Sequence, residues 1–159
     1  MKSNNYNNNV SIIPVVSYYN ADIDKFIIYK ENKRKSGIYR WNNLITGKSY
    51  IGSSTCLKSI FSTYYLLSYL NKKGSSLIYN ALLKYGYSNF SLDTIEYCES
   101  NILISREQYY IDQLNPECNI CKIAGSRLGT KHSKETKELI RAVSIDRIHS
   151  KKAKNKRIS

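Results

Sequence analysis

The chain has 159 residues, 42% of them hydrophobic, and a formal net charge of +13, which leaves room for one small core and an appendage. No run approaches the ~20 apolar residues that a membrane-spanning helix needs, so no membrane partner is expected. The charge is uneven: from Gly125 onward 11 Lys and Arg stand against 3 Asp and Glu, a net +8, whereas the first 124 residues carry only +5. Clustered positive charge attracts a polyanion through phosphate neutralisation and counterion release, with anionic surfaces or simple solubility as the bland alternatives.

In chain order, Asn-rich residues 1–9 read as disordered, with neither an apolar signal core nor an Arg-rich amphipathic presequence. Residues 10–19 are apolar but interrupted by Pro14, 22–30 suggest a short amphipathic helix, and 31–36 form a polar linker. Gly37-Ile38-Tyr39 and Tyr50-Ile51-Gly52, rich in β-formers, flank the turn-like Asn42-Asn43-Leu44-Ile45-Thr46-Gly47, which predicts an antiparallel hairpin. Alternation puts Gly37, Tyr39 and Trp41 on one face and Ile38 and Arg40 on the other, with Tyr50 and Gly52 also sharing a face.

A helix is predicted over about 55–70, capped by Ser54 or Thr55. After the polar break at Gly74-Ser75-Ser76, a second helix over 77–85 stops at Gly86, where a left-handed terminating residue is expected. Alternation over 90–97 gives a third strand, and a helix over 102–114 is closed by Asn115-Pro116. This order implies an α+β domain with a small three-stranded antiparallel sheet flanked by helices. A basic helical tail follows, with a helix over 133–143 capped by Ser133, and disorder from residue 150.

Four cysteines, Cys56, Cys98, Cys118 and Cys121, make no disulfide framework. The Cys118-Asn-Ile-Cys121 spacing followed by His132 is zinc-like, but no second matching pair completes a tetrahedral set. Reduced, partly buried thiols are expected.

The two tripeptides, in order and at hairpin spacing, resemble the GIY-YIG nuclease family, whose name spells them. The resemblance continues through Ser53-Ser54, Lys84-Tyr85-Gly86, Arg106-Glu107-Gln108-Tyr109-Tyr110 and Asn115-Pro116-Glu117-Cys118-Asn119. It is most similar to fungal mitochondrial intron-encoded homing endonucleases, including the leader around residues 14–20. A structural alternative is that the tyrosines merely pack a small sheet. The resemblance divides the chain into a partly disordered leader (1–35), a nuclease domain (36–124), a modular DNA-binding motif (125–149) and a basic disordered end (150–159). It also implies a mitochondrial location, a monomer, and double-stranded DNA as partner, with intron RNA as a second candidate. In the modular motif the DNA-binding candidates are Arg127, Lys131, His132, Ser133, Lys134 and Lys137.

Glu107 stands out without any resemblance. At 100° per residue it falls on the stripe of Leu103, Tyr110, Ile111 and Leu114, and a buried carboxylate calls for a partner or a metal. An internal ion pair with Arg106 or a nearby Lys is the alternative. The resemblance gives Glu107 the family's metal-binding position, with Mg²⁺ or Mn²⁺ joining it to a phosphate oxygen and waters. It also implies that Tyr39 is the general base or the residue that orients water, with Tyr50 assisting. A free phenol with a pKa near ~10 needs nearby positive charge to accept a proton. Tyr64 matches a position that the family fills with His or Tyr. Asn119 matches an amide that holds the site together or contacts DNA, or it braces a turn after Pro116.

One position departs from the pattern. The family carries a phosphate-stabilising arginine where this chain has Ile60, and losing such a group costs ~10²-fold or more in rate. Lys58 lies about 160° around the helix from that position, which leaves Arg40 and Arg106 as conceivable replacements. A non-catalytic DNA- or intron-RNA-binding protein is therefore the alternative function.

Overall fold

The computed structural model describes residues 11–72 and 76–125, all within the unit Met1–Ser126. The elements run β1 (Val16–Tyr18), α1 (Lys25–Glu31), β2 (Gly37–Asn43), β3 (Ser49–Ser54), α2 (Leu57–Tyr64), α3 (Leu67–Lys72), α4 (Leu77–Tyr85), β4 (Phe90–Tyr97) and α5 (Leu103–Leu114). The expected α+β class with a small antiparallel sheet is what forms. The strand count is corrected from three to four, in the order β1-β4-β2-β3. The extra strand comes from the segment read as a leader, where Val16 pairs with Thr94 and Tyr18 with Leu92. Three residues are too few to show alternation in the sequence, and their partner lies more than 70 positions away.

The leader is tied in further by one buried side chain. Asn32 donates from Nδ2 to Tyr18 Oη at 3.0 Å and to the Ile28 carbonyl at 2.8 Å. Its Oδ1 accepts from Thr94 Oγ1 and Tyr97 Oη, both at 3.0 Å. A fully satisfied polar node of this kind locks α1 and β1 onto β4.

The hairpin forms as its sequence dictates. Asn43 Oδ1 accepts from the backbone N–H groups of Ile45 and Thr46, and Gly47 takes φ +74, the left-handed geometry that glycine allows most cheaply. In the β2–β3 register Tyr39 opposes Gly52 and Trp41 opposes Tyr50. Against β4 the register slips between Ile38 and Tyr39, paired with Glu96 and Thr94, so Ile95 is the extra residue of a bulge.

The sheet separates two cores. Tyr39, Trp41, Phe90 and Leu92 pack with Leu57, Phe61, Tyr64, Ile78 and Leu82 on the side of α2 and α4. Ile38, Ile51 and Ile95 pack with Leu103, Tyr110 and Ile111 of α5 on the other.

The single helix predicted over about 55–70 is two helices. Ser62 and Thr63 bond back to the carbonyls of Ser59 and Ile60, competition that weakens a helix from within. Tyr65 N–H turns to the Ser62 carbonyl, and its phenol donates to the Ala21 carbonyl at 2.5 Å. The predicted cap is also corrected: Cys56 holds that place in an extended conformation without a side-chain cap, while Ser54 Oγ accepts the Cys56 N–H. The other ends are as expected, with Ser76 Oγ accepting from Tyr79 N–H, Gly86 at φ +78 and Asn115 at φ +43. All four cysteines carry free thiols. Among the described residues no helix is long and apolar enough to cross a membrane. The predicted tail helix and the candidates Arg127, Lys131, His132, Ser133, Lys134 and Lys137 lie outside the described residues.

Candidate active site

The glycines of both tripeptides mark close approaches. A Cβ on Gly52 would lie 2.5 Å from Tyr39 Cζ and Oη, so the Tyr39 ring crosses the edge strand where residue 52 has no side chain. A Cβ on Gly37 would strike the Glu96 carbonyl, just beyond the bulge. Without the first glycine, Tyr39 could not reach its partner on α2.

That partner is Tyr64, whose hydroxyl lies 2.9 Å from the Tyr39 hydroxyl. Tyr39 also packs edge-on to Phe61 at 5.2 Å and tilts against Tyr50 at 6.4 Å between ring centroids. Tyr39 and Tyr64 are only 2% and 1% exposed, whereas Tyr50 is half-buried. Burial pushes the Tyr39 pKa well above the ordinary phenol value, and Tyr50 adds to the rise. Burial raises Tyr64 in the same way. Tyr50 is raised by burial, then by the Glu107 charge. Tyr79, which the sequence did not single out, packs edge-on to Tyr64 at 5.2 Å and acts on Tyr39 and Tyr64 as well. Burial thus favours the protonated, hydrogen-bond-donating form of each of these phenols.

Glu107 arrives from the opposite side of the sheet. Its helix covers the Ile38–Ile51 face, so acid and phenols do not share a face. Instead the carboxylate turns to the edge strand and accepts from Ser53 Oγ at 2.5 Å. Ser53, which holds it, follows Gly52, beside which the Tyr39 ring lies, so acid and phenols flank the same short stretch of β3. The alternation that sends Tyr50 and Gly52 to one side sends Ile51 and Ser53 to the other. Ser53 was missed as a site residue, and its place directly after the second tripeptide was the available signal.

The alternative for Glu107, an ion pair with Arg106 or a nearby Lys, does not form among the described residues. Arg106 Nη2 lies 2.7 Å from Glu96 Oε2, and the same guanidinium donates to Tyr110 Oη. Arg40 donates from Nε and Nη2 to Asp93 Oδ2, at 3.0 and 2.7 Å. Both conceivable replacements for the missing arginine are thus committed to carboxylates on β4. Ile60 packs against the aromatic core, half-buried. Among the described residues, no cation is among the principal influences on the titration of Tyr39, Tyr50, Tyr64 or Glu107.

Glu107 is left with burial raising its pKa and one hydroxyl lowering it. A half-buried carboxylate without a countercharge suits a hard cation that takes its other ligands from phosphate and water. No group of three or more His, Cys, Asp or Glu side chains gathers among the described residues, so a cation at Glu107 would take most of its ligands from phosphate and water.

Asn119 braces the edge strand. Its Oδ1 accepts the Ile51 N–H at 2.9 Å and its Nδ2 donates to the Ile51 carbonyl at 2.8 Å. Cys118 N–H reaches the Ser49 carbonyl, and Glu117 accepts the Ser49 N–H. Residues 117–119 therefore cover the open edge of β3 up to Ile51 and hold in register the strand that carries Tyr50, Gly52 and Ser53. A cavity of about 240 Å³ opens elsewhere, between Thr46, Lys48, Ala81 and Cys118 at the hairpin turn, and includes none of the phenol or Glu107 groups.

No family model matches the chain. Among solved structures it is similar to a point mutant of the catalytic domain of intron endonuclease I-TevI, 26% identical over 58% of this chain and 99% of that one, with a TM-score of 0.48. It is also similar to the catalytic domain of homing endonuclease I-TevI, 29% identical over 54% of this chain and 94% of that one, with a TM-score of 0.44.

Proposed function

We propose that this chain is a DNA endonuclease of the GIY-YIG type, intron-encoded and of homing character, working in mitochondria as a monomer on double-stranded DNA. The observation that carries the reading is the meeting of an uncompensated carboxylate, Glu107, with a phenol cluster across a single edge strand. The paired tripeptides that build this edge support it.

In the mechanism, Glu107 would hold one Mg²⁺ or Mn²⁺, and Ser53 fixes its carboxylate by donating to Oε2. A hard divalent ion, when bound, supplies Lewis-acid charge for the leaving oxygen of a phosphodiester. Tyr50, the half-buried phenol, orients the attacking water or a phosphate oxygen with its O–H. Tyr39 and Tyr64 lie too deep for substrate and support Tyr50 from behind. The proton of the attacking water passes to solvent or a substrate oxygen. Asn119 keeps the strand from fraying under load.

A second reading, a DNA- or intron-RNA-binding protein without turnover, is favoured by Ile60 and by the lack, among the described residues, of any cation acting on the site. The two separate in one experiment. The purified chain is incubated with Mg²⁺ and a randomised duplex library, and cut ends are sequenced alongside a mobility-shift assay. Cuts at a shared sequence support the endonuclease, whereas retention of a shared sequence without cuts supports the binding protein.

A further inference from the structure

The residues just before β2 form a cationic surface that the catalytic proposal does not use. Lys33, Arg34 and Lys35 are consecutive and exposed. The turn that carries them is anchored at both sides: Lys35 N–H reaches the Asn32 carbonyl, Leu57 N–H reaches the Lys35 carbonyl at 2.9 Å, and Cys98 N–H reaches the Ser36 carbonyl at 3.0 Å. The turn is thereby fixed against the start of α2 and the end of β4. Lys58 stands close by, as the residue after Leu57, whose N–H bonds to the Lys35 carbonyl. Lys35 Nζ sits 4.5 Å over the Tyr97 ring. Arg34, Lys35, Ser36, Tyr97, Cys98 and Glu99 line an open cleft of about 400 Å³.

Two features point to a ligand. The first is conformational: Arg34 has φ +59, a left-handed backbone that a side chain with a Cβ adopts at a cost and that glycine or asparagine adopts more cheaply. A strained arginine at this turn points to a use for its side chain. The second is electrostatic. The ion pairs among the described residues are Arg40–Asp93 and Arg106–Glu96, so Lys33, Arg34, Lys35 and Lys58 stand without a paired carboxylate. Glu99 is the acidic group on the cleft.

Placement connects this surface to the proposed chemistry. The turn runs into Gly37, which pairs with Ser54, the neighbour of the serine that holds Glu107. The cations therefore stand at the Glu107 end of the hairpin. We propose that Lys33, Arg34, Lys35 and Lys58 form a contact surface for the phosphate backbone of duplex DNA, gripping the strand beside the scissile bond. The proposal rests on DNA being the substrate. It gives the leader a share of the substrate contacts that phosphate-directed cations supply without reading sequence.

The test uses the full chain, a labelled DNA duplex titrated over a range of salt, and thermal melting. Arg34→Gly removes the guanidinium and relieves the left-handed backbone, so it should melt at or above the parent while its DNA affinity falls severalfold. The triple variant Lys33→Ala, Arg34→Gly, Lys35→Ala should make the slope of log affinity against log salt shallower by about 0.9 for each phosphate no longer neutralised. With a cleavable duplex, KM should rise while the saturated rate stays unchanged. Unaltered affinity and salt slope in both variants overturn the proposal, as does weakening confined to RNA. If the parent cuts nothing but both variants bind DNA more weakly, the contact surface stands and the endonuclease reading falls.

Discussion

The two faces of the hairpin solve different problems with similar material. On the α2 side, Tyr39 and Tyr64 are sealed, bonded to one another, and surrounded by Trp41, Phe61 and Tyr79. On the α5 side, Glu107 is half-open and accepts a hydrogen bond from Ser53 on the edge strand. The sealed side can place groups but cannot exchange protons or ligands with solvent, whereas the open side can. On the proposed reading the sealed Tyr39 and Tyr64 act by position, and chemistry falls to Glu107 and to Tyr50, the less buried phenol.

The sharpest way to strain this comparison is Ile60→Arg. It places a guanidinium at a half-buried position of α2 beside the aromatic core and, on the proposed reading, should raise single-turnover DNA cleavage by about 10²-fold. No gain would show that position 60 does not face the reacting phosphate. Tyr39→Phe comes next. If Tyr39 only positions, cleavage should drop by about tenfold while unfolding in urea shows a destabilisation of about 1 kcal/mol from the broken Tyr64 bond. A drop of 10³-fold or more would mean that this phenol touches the reacting atoms.

Smaller effects probe the strand between the sides. Asn119→Ala leaves the Ile51 N–H and C=O without partners and should cost about 1–3 kcal/mol in denaturant. Gly52→Ala drives a methyl into the Tyr39 ring and should cost about 1–3 kcal/mol. Either variant with parental stability would show that the edge is not held as described. The smallest effect is a pH dependence, measured in chelator. Burial raises the Glu107 pKa above its ordinary value of 4.5, so the folded state binds more protons than the unfolded one between those two values. Stability from this group is complete below about 4.5 and is lost as pH rises through the folded pKa. Glu107→Gln should remove that decline and leave the protein more stable at neutral pH. A decline of equal size in the variant would assign it to another group.

Much of this was legible because it is local. Turn chemistry at Asn43 and Gly47, the stop at Gly86 and the alternation of 90–97 are written in adjacent residues, and the helical period placed Glu107 on the α5 stripe. The missing parts are non-local. β1 exists because Val16 meets Thr94, and the break after Tyr64 exists because Tyr65 reaches Ala21. That Arg40 and Arg106 are engaged by Asp93 and Glu96, and that Ser53 holds Glu107, depends on which residues the sheet register sets opposite one another. Spacing alone could not show that acid and phenols come from opposite faces.

The central claim is that Glu107 and the phenols serve one phosphodiester across β3. It is tested most directly by comparing parent and Glu107→Gln on a duplex that both bind, with Mg²⁺ present. The account predicts cleavage by the parent and a drop of about 10²-fold or more in the variant at unchanged DNA affinity. Equal cleavage by the two proteins would contradict it.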